Sequence, residues 1–106
     1  MTRNHIEPTA AGFRLIDAAD RSIDLRWSDI ETVSAYAVDA ITSVLKYLDF
    51  TLMNGSVITV DDRTGGWRSV LEAVSKHLDL RVTDLAAAID SLTPDGDIQT
   101  LATARR

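Results

Sequence analysis

The stretch most suggestive of chemistry is Asp61-Asp62-Arg63-Thr64-Gly65-Gly66-Trp67-Arg68-Ser69, a glycine pair between a β-like run and an amphipathic segment. A phosphate-binding loop works because glycines let backbone N–H groups approach the anion while a lysine and a hydroxyl complete the site. Here the lysine is missing, a bulky Trp67 stands at the helix start, and Asp61 and Asp62 would repel an anion. The residues read instead as a sharp strand-to-helix turn, with Gly65 and Gly66 bending the chain, Thr64 as a helix cap and Trp67 as a core anchor. A buried anchor of that size would cost about 3–5 kcal/mol on truncation to Ala.

Other reactive residue types fare similarly. His5 and His77 are the only histidines; one lies in the N-terminal stretch and the other near a helix C-terminus, where an imidazolium is mildly favoured. The pair Asp61 and Asp62 and the Asp95-Gly96-Asp97 turn lack calcium-loop spacing and read as solvated turn acids. Ser69 or Ser75 with His77 supplies triad composition without the nucleophile elbow that would give it meaning. Asp17, Asp20, Asp24 and Asp49 fall in turns or on sheet faces and do not form an acid–base pair. The sequence therefore names no catalytic, cofactor-binding or metal-binding residue, calls for no cofactor, and reads as a non-enzyme. Asp49 stands out, flanked by Tyr47 and Thr51 in an otherwise apolar run. Its two readings are a hydrogen bond within a sheet and a polar binding groove.

These residues must be held by a small core. The chain has 106 residues, 45% hydrophobic and 25% charged, with 5 Gly and 2 Pro, which suits one globular domain over residues 1–106. It has no cysteine, so stability comes from packing and the composition fits a reducing, cytoplasmic setting. The first residues lack the apolar core of a signal peptide, and no apolar run is long enough to span a membrane. A formal net charge of −5, with basic residues scattered, disfavours nucleic acid and anionic membrane as partners. The terminal Arg105 and Arg106 read as a frayed tail.

Residues 1–10 and 102–106 are expected to be flexible. Phe13, Leu15, Ile23, Leu25 and Trp27 recur at period two around a turn, predicting a hairpin with Arg14, Asp24 and Arg26 on its wet face. Residues 31–42 are ambiguous. Ser28 and Glu31 form a capping-box pattern and Ile30, Val33, Ala37 and Ile41 keep helical spacing, whereas Thr32, Val33, Val38, Ile41 and Thr42 are β-branched. Residues 44–52 read as strand.

After it, a three-residue loop of Met53, Asn54 and Gly55 pairs Phe50 with Ile58, Leu48 with Val60 and Lys46 with Asp62. That register keeps apolar and polar faces apart, which a two-residue turn would not. Trp67, Val70, Leu71, Val74 and Leu78 share one helical face, predicting a helix over 66–78. A shorter helix over 83–92, capped by Thr83 with a Leu85, Ile89 and Leu92 stripe, stops before Pro94. The tail from Ile98 adds an edge strand or frays.

The order Trp27-Ser28-Asp29-Ile30, Ala35-Tyr36 with Asp39, a hairpin, then Gly65-Gly66-Trp67 opening a helix resembles small uncharacterised bacterial proteins with a pleckstrin-homology-like (PH-like) fold. The resemblance covers residues 13–80 and turns 31–42 toward strand; the second helix and the alanine-rich tail depart from it. It implies an α+β domain, an antiparallel meander of about five strands covered by the 66–78 helix. It brings no catalytic residues, and PH-like domains as a class are mostly docking modules. The expected function is a noncatalytic protein-interaction module, self-associating through a sheet edge or the second helix. The alternative is a small acidic inhibitor, immunity- or antitoxin-like, that blocks a basic partner.

Overall fold

The computed structural model describes residues 4–105, so the flexibility expected of residues 1–3 and of Arg106 lies outside the described residues. In chain order the elements are β1 (His5–Pro8), β2 (Gly12–Ile16), β3 (Ser22–Arg26), a 3₁₀ turn (Trp27–Asp29), β4 (Ile30–Asp39), β5 (Val44–Leu52) and β6 (Val57–Asp61). There follow α1 (Trp67–His77), β7 (Asp79–Leu80), α2 (Leu85–Asp90) and β8 (Gln99–Thr103). The fold is α+β with two antiparallel sheets, β1-β2-β3 and β6-β5-β4-β8-β7. The single meander expected from the sequence is broken between β3 and β4: the 3₁₀ turn separates them, and β8 pairs with the edge of β4 that β3 would have used.

The predicted β2–β3 hairpin is present, with Phe13 opposite Leu25 and Leu15 opposite Ile23. On its wet face Arg14 Nε donates to Asp24 Oδ1 at 2.8 Å. Phe13 and Leu25 are buried, whereas Ile23, beside the turn on the edge strand, is 52% exposed, contrary to the uniform face expected. Residues 5–8, read as part of a flexible lead-in, form β1 against β2, with Ile6 in the core. One isoleucine among polar residues carries no periodicity, so the local pattern could not announce this strand.

The ambiguous segment is strand through Asp39. It pairs with β5 along its length and with β8 over Thr32 to Ala35, so in that part both rows of its backbone hydrogen bonds are used. Val33, Ala35 and Ala37 are buried and alternate with half-buried Thr32, Ser34 and Tyr36. The capping-box pair caps no helix: Ser28 lies within the 3₁₀ turn, whose N-cap is Arg26, and Glu31 lies in β4, while Ile41, part of the helical spacing, sits 96% exposed in the β4–β5 turn at φ 75°.

Between β5 and β6 the register matches the predicted one: Phe50 faces Ile58, Leu48 faces Val60 and Asp49 faces Thr59. Gly55, at φ 90°, occupies the left-handed position that the three-residue loop needs.

Through Arg105 the tail is held against the fold, and its strand is not an edge. β8 lies between β4 and β7, and Leu101 and Ala102 are fully buried. Beyond it Ala104 N–H donates to Glu31 O, and Arg105 pairs with Asp79 at 3.7 Å.

Across the middle of the core, the Phe13 ring lies 5.4 Å from Trp27 and 5.1 Å from Phe50, joining the two sheets. Trp27 also stacks on His77 of α1, centroids 5.1 Å apart. Val70, Val74 and Leu78 fix α1 to this core, and Leu85 and Ile89 fix α2. The second helix is capped by Asp84, not Thr83: the Asp84 carboxylate accepts from Ala87 N–H at 3.1 Å. Lys46, on β5, donates its ammonium to the Leu92 carbonyl just after α2, tying that helix end to the sheet.

Candidate functional site

The glycine loop is engaged by the N-terminal strand of the protein itself. Gly65 N–H donates to Asn4 O at 3.0 Å, and Gly65 O accepts from Ile6 N–H at 2.7 Å, so the loop pairs with β1. Gly66 is left-handed at φ 83°, and a Cβ there would fall 2.2 Å from Ile6 O. Only glycine lets the chain turn into α1 this close to β1. The cap reading of Thr64 needs correction: Gly66 is the N-cap with no side-chain cap bond, and the Thr64 hydroxyl turns back to Asp61 at 3.4 Å. Asp61 also accepts from Arg63 N–H and pairs with the Arg63 guanidinium.

The face bearing Asp49 is likewise closed on itself. Thr59 Oγ1 donates to Asp49 Oδ1 at 2.6 Å across the β5–β6 pair. Next to it, Tyr36 and Tyr47 stack with centroids 5.4 Å apart and planes 12° from parallel. Burial, and then the charge of Asp49, push the Tyr36 phenol above the usual tyrosine range. Among the described residues Asp49 lines neither the groove between the helices nor the clefts beside Asn4, Thr103 and His77.

An open feature lies instead between the helices. A groove of about 480 Å³ is lined by Asp62, Trp67, Arg68, Leu71, Glu72, Ala86, Ile89 and Asp90. It opens where the six-residue α2 lies beside α1 and Trp67 and Leu71 of the α1 stripe stay partly uncovered. Ile89 is buried at its floor, Trp67 and Leu71 are half-buried along its wall, and Arg68, Glu72, Ala86 and Asp90 are exposed around it. Trp67 is thus not the enclosed anchor that the helical stripe suggested. The spacing placed it on the correct face of the helix; the length of the neighbouring helix decides its exposure, and no local signal carries that.

The remaining sequence candidates are dispersed. His5 Nε2 lies 3.3 Å from Glu7 Oε1 at the surface. Ser69 and His77 line one shallow cleft with Glu72, yet no hydrogen bond joins them among the described residues, and Ser75 Oγ donates to Leu71 O in its own helix. Asp17 is held below the usual carboxylate range, first by the Arg21 backbone N–H, and Asp24 likewise by the Arg14 guanidinium; both are solvated turn or hairpin acids. Among the described residues no group of three acidic or imidazole side chains gathers as a metal site. No described helix is long and apolar enough to cross a membrane. No family model, curated protein or solved structure matches the chain.

Proposed function

We propose that the chain is a noncatalytic protein-interaction module that docks a partner through the groove between α1 and α2. The observation that carries this reading is Trp67, an indole left half-buried on an apolar groove wall. Large aromatic side chains in such positions supply much of the energy of protein interfaces when a partner completes their burial. Catalysis would need polar groups converging on an enclosed point, and the charged groups here stand apart around the mouth. The net charge of −5 favours a protein partner over nucleic acid, and the cysteine-free composition suits a cytoplasmic setting. In the same reading the chain is related to the bacterial PH-like proteins that residues 13–80 resemble, a relation supported by the order of its sequence features and by α1 lying against the sheets.

The test is affinity capture from the source cells at moderate salt with the wild type, Trp67→Ala and Asp49→Asn. A stoichiometric partner kept by the wild type and Asp49→Asn but lost by Trp67→Ala is the expected result. Loss with Asp49→Asn alone would move the docking surface to the sheet. The acidic charge also favours a second reading, an immunity- or antitoxin-like inhibitor; a captured enzyme that is inactive in the complex would select it, and recovery of the chain alone would point to self-association.

A further inference from the structure

Resting on that docking reading, we propose that the occupant of the groove is a cationic segment of a partner protein, with one aliphatic or aromatic side chain set against Trp67 and Lys or Arg beside the surrounding carboxylates. The charge around the groove is uneven: Asp62, Glu72 and Asp90 against Arg68 alone. Among the described residues, none of these four belongs to an ion pair. The ion pairs of the described residues lie elsewhere, among them Arg14 with Asp24, Arg21 with Asp17, Arg63 with Asp61 and Arg105 with Asp79. The groove therefore combines an apolar floor with a net negative charge. An anionic segment would meet like charge, which suppresses binding, whereas a cationic one is attracted before contact and oriented on arrival.

The volume of about 480 Å³ and the wall of Trp67 and Leu71 suit one large apolar anchor, not an extended hydrophobic face. A guanidinium or ammonium flanking that anchor can also lie over the indole face. Because Glu72 and Asp90 are exposed, the charge attraction is screened over about 8–10 Å at ordinary salt, so binding should weaken as salt rises while the apolar contact remains.

The test titrates the intact ¹⁵N-labelled protein with three short capped peptides: leucine with lysine in helical spacing, its glutamate-for-lysine counterpart, and a lysine–glycine peptide without the apolar anchor. The proposal expects saturable shifts from the leucine–lysine peptide at the Trp67 indole N–H and the α1 and α2 amides. It expects much weaker shifts from the other two. Glu72→Gln and Asp90→Asn, both at exposed positions, should each weaken that binding by about two- to fivefold. Equal binding of the glutamate peptide in the groove would overturn the cationic assignment and leave the docking reading standing. Shifts confined to another surface, or absent with all three peptides, would overturn both.

Discussion

The sheet face around Asp49 and the groove beside Trp67 differ in what their side chains have left to do. On the sheet face, Thr59 donates to Asp49 and the two tyrosines stack on each other, so the unusual residues have partners within the sheet. In the groove, ordinary residues of an amphipathic helix remain partly uncovered, and their charged neighbours lack partners among the described residues. A residue out of place in its sequence context is thus a poorer guide to a binding surface than a residue in place whose expected cover is too short.

The largest effect expected tests the support common to both regions. Phe50 lies on the same strand as Asp49, points into the core, and is fully buried against Phe13. Phe50→Ala should cost about 3–5 kcal/mol in urea unfolding, and a loss near zero would contradict the shared core. Next, Gly66→Ala should cost about 1–3 kcal/mol or more, since a left-handed residue would gain a Cβ against Ile6 O. An unchanged midpoint would mean that the turn presenting Trp67 is not built as described.

Trp67→Ala should cost only about 1–2 kcal/mol, below the range for an enclosed indole, because part of that side chain already meets solvent. A cost as large as that of Phe50→Ala would close the groove and break the contrast. The smallest effect concerns the sheet face. The raised Tyr36 pKa favours the neutral phenol in the folded state, so its contribution to stability is present below the unfolded tyrosine pKa and fades as pH rises through the folded one. Asp49→Asn should lower the Tyr36 pKa only part of the way, since burial is the larger cause. NMR titration of the tyrosine ring carbons measures this; no change would mean that Asp49 and Tyr36 are electrically separate.

Legibility in the sequence followed the range of the interactions. The β5–β6 register could be worked out because one misplaced residue would have put Phe50 opposite Thr59, and such penalties act between neighbours along one hairpin. The face of α1 was readable from Val70, Val74 and Leu78 for a similar reason. By contrast, β1 and β8 depend on distant partners: Ile6 packs beneath a loop 60 residues away, and Leu101 completes a sheet begun at Ile30. Neither segment has enough apolar residues to show a period of its own. Residues 31–42 carried a real conflict, settled by hydrogen bonds on both sides of β4. Asp49 was legible as an intrasheet partner once Thr59 was placed opposite it. The groove was not legible, since it depends on how far α2 extends over α1.

The most direct test of the docking surface is photo-crosslinking in the source cells with p-benzoylphenylalanine placed either at Ala86, exposed beside the groove, or at Thr59, exposed on the sheet face. The account predicts a discrete crosslinked partner from position 86 and none from position 59. A partner recovered from position 59 and absent from position 86 would contradict it.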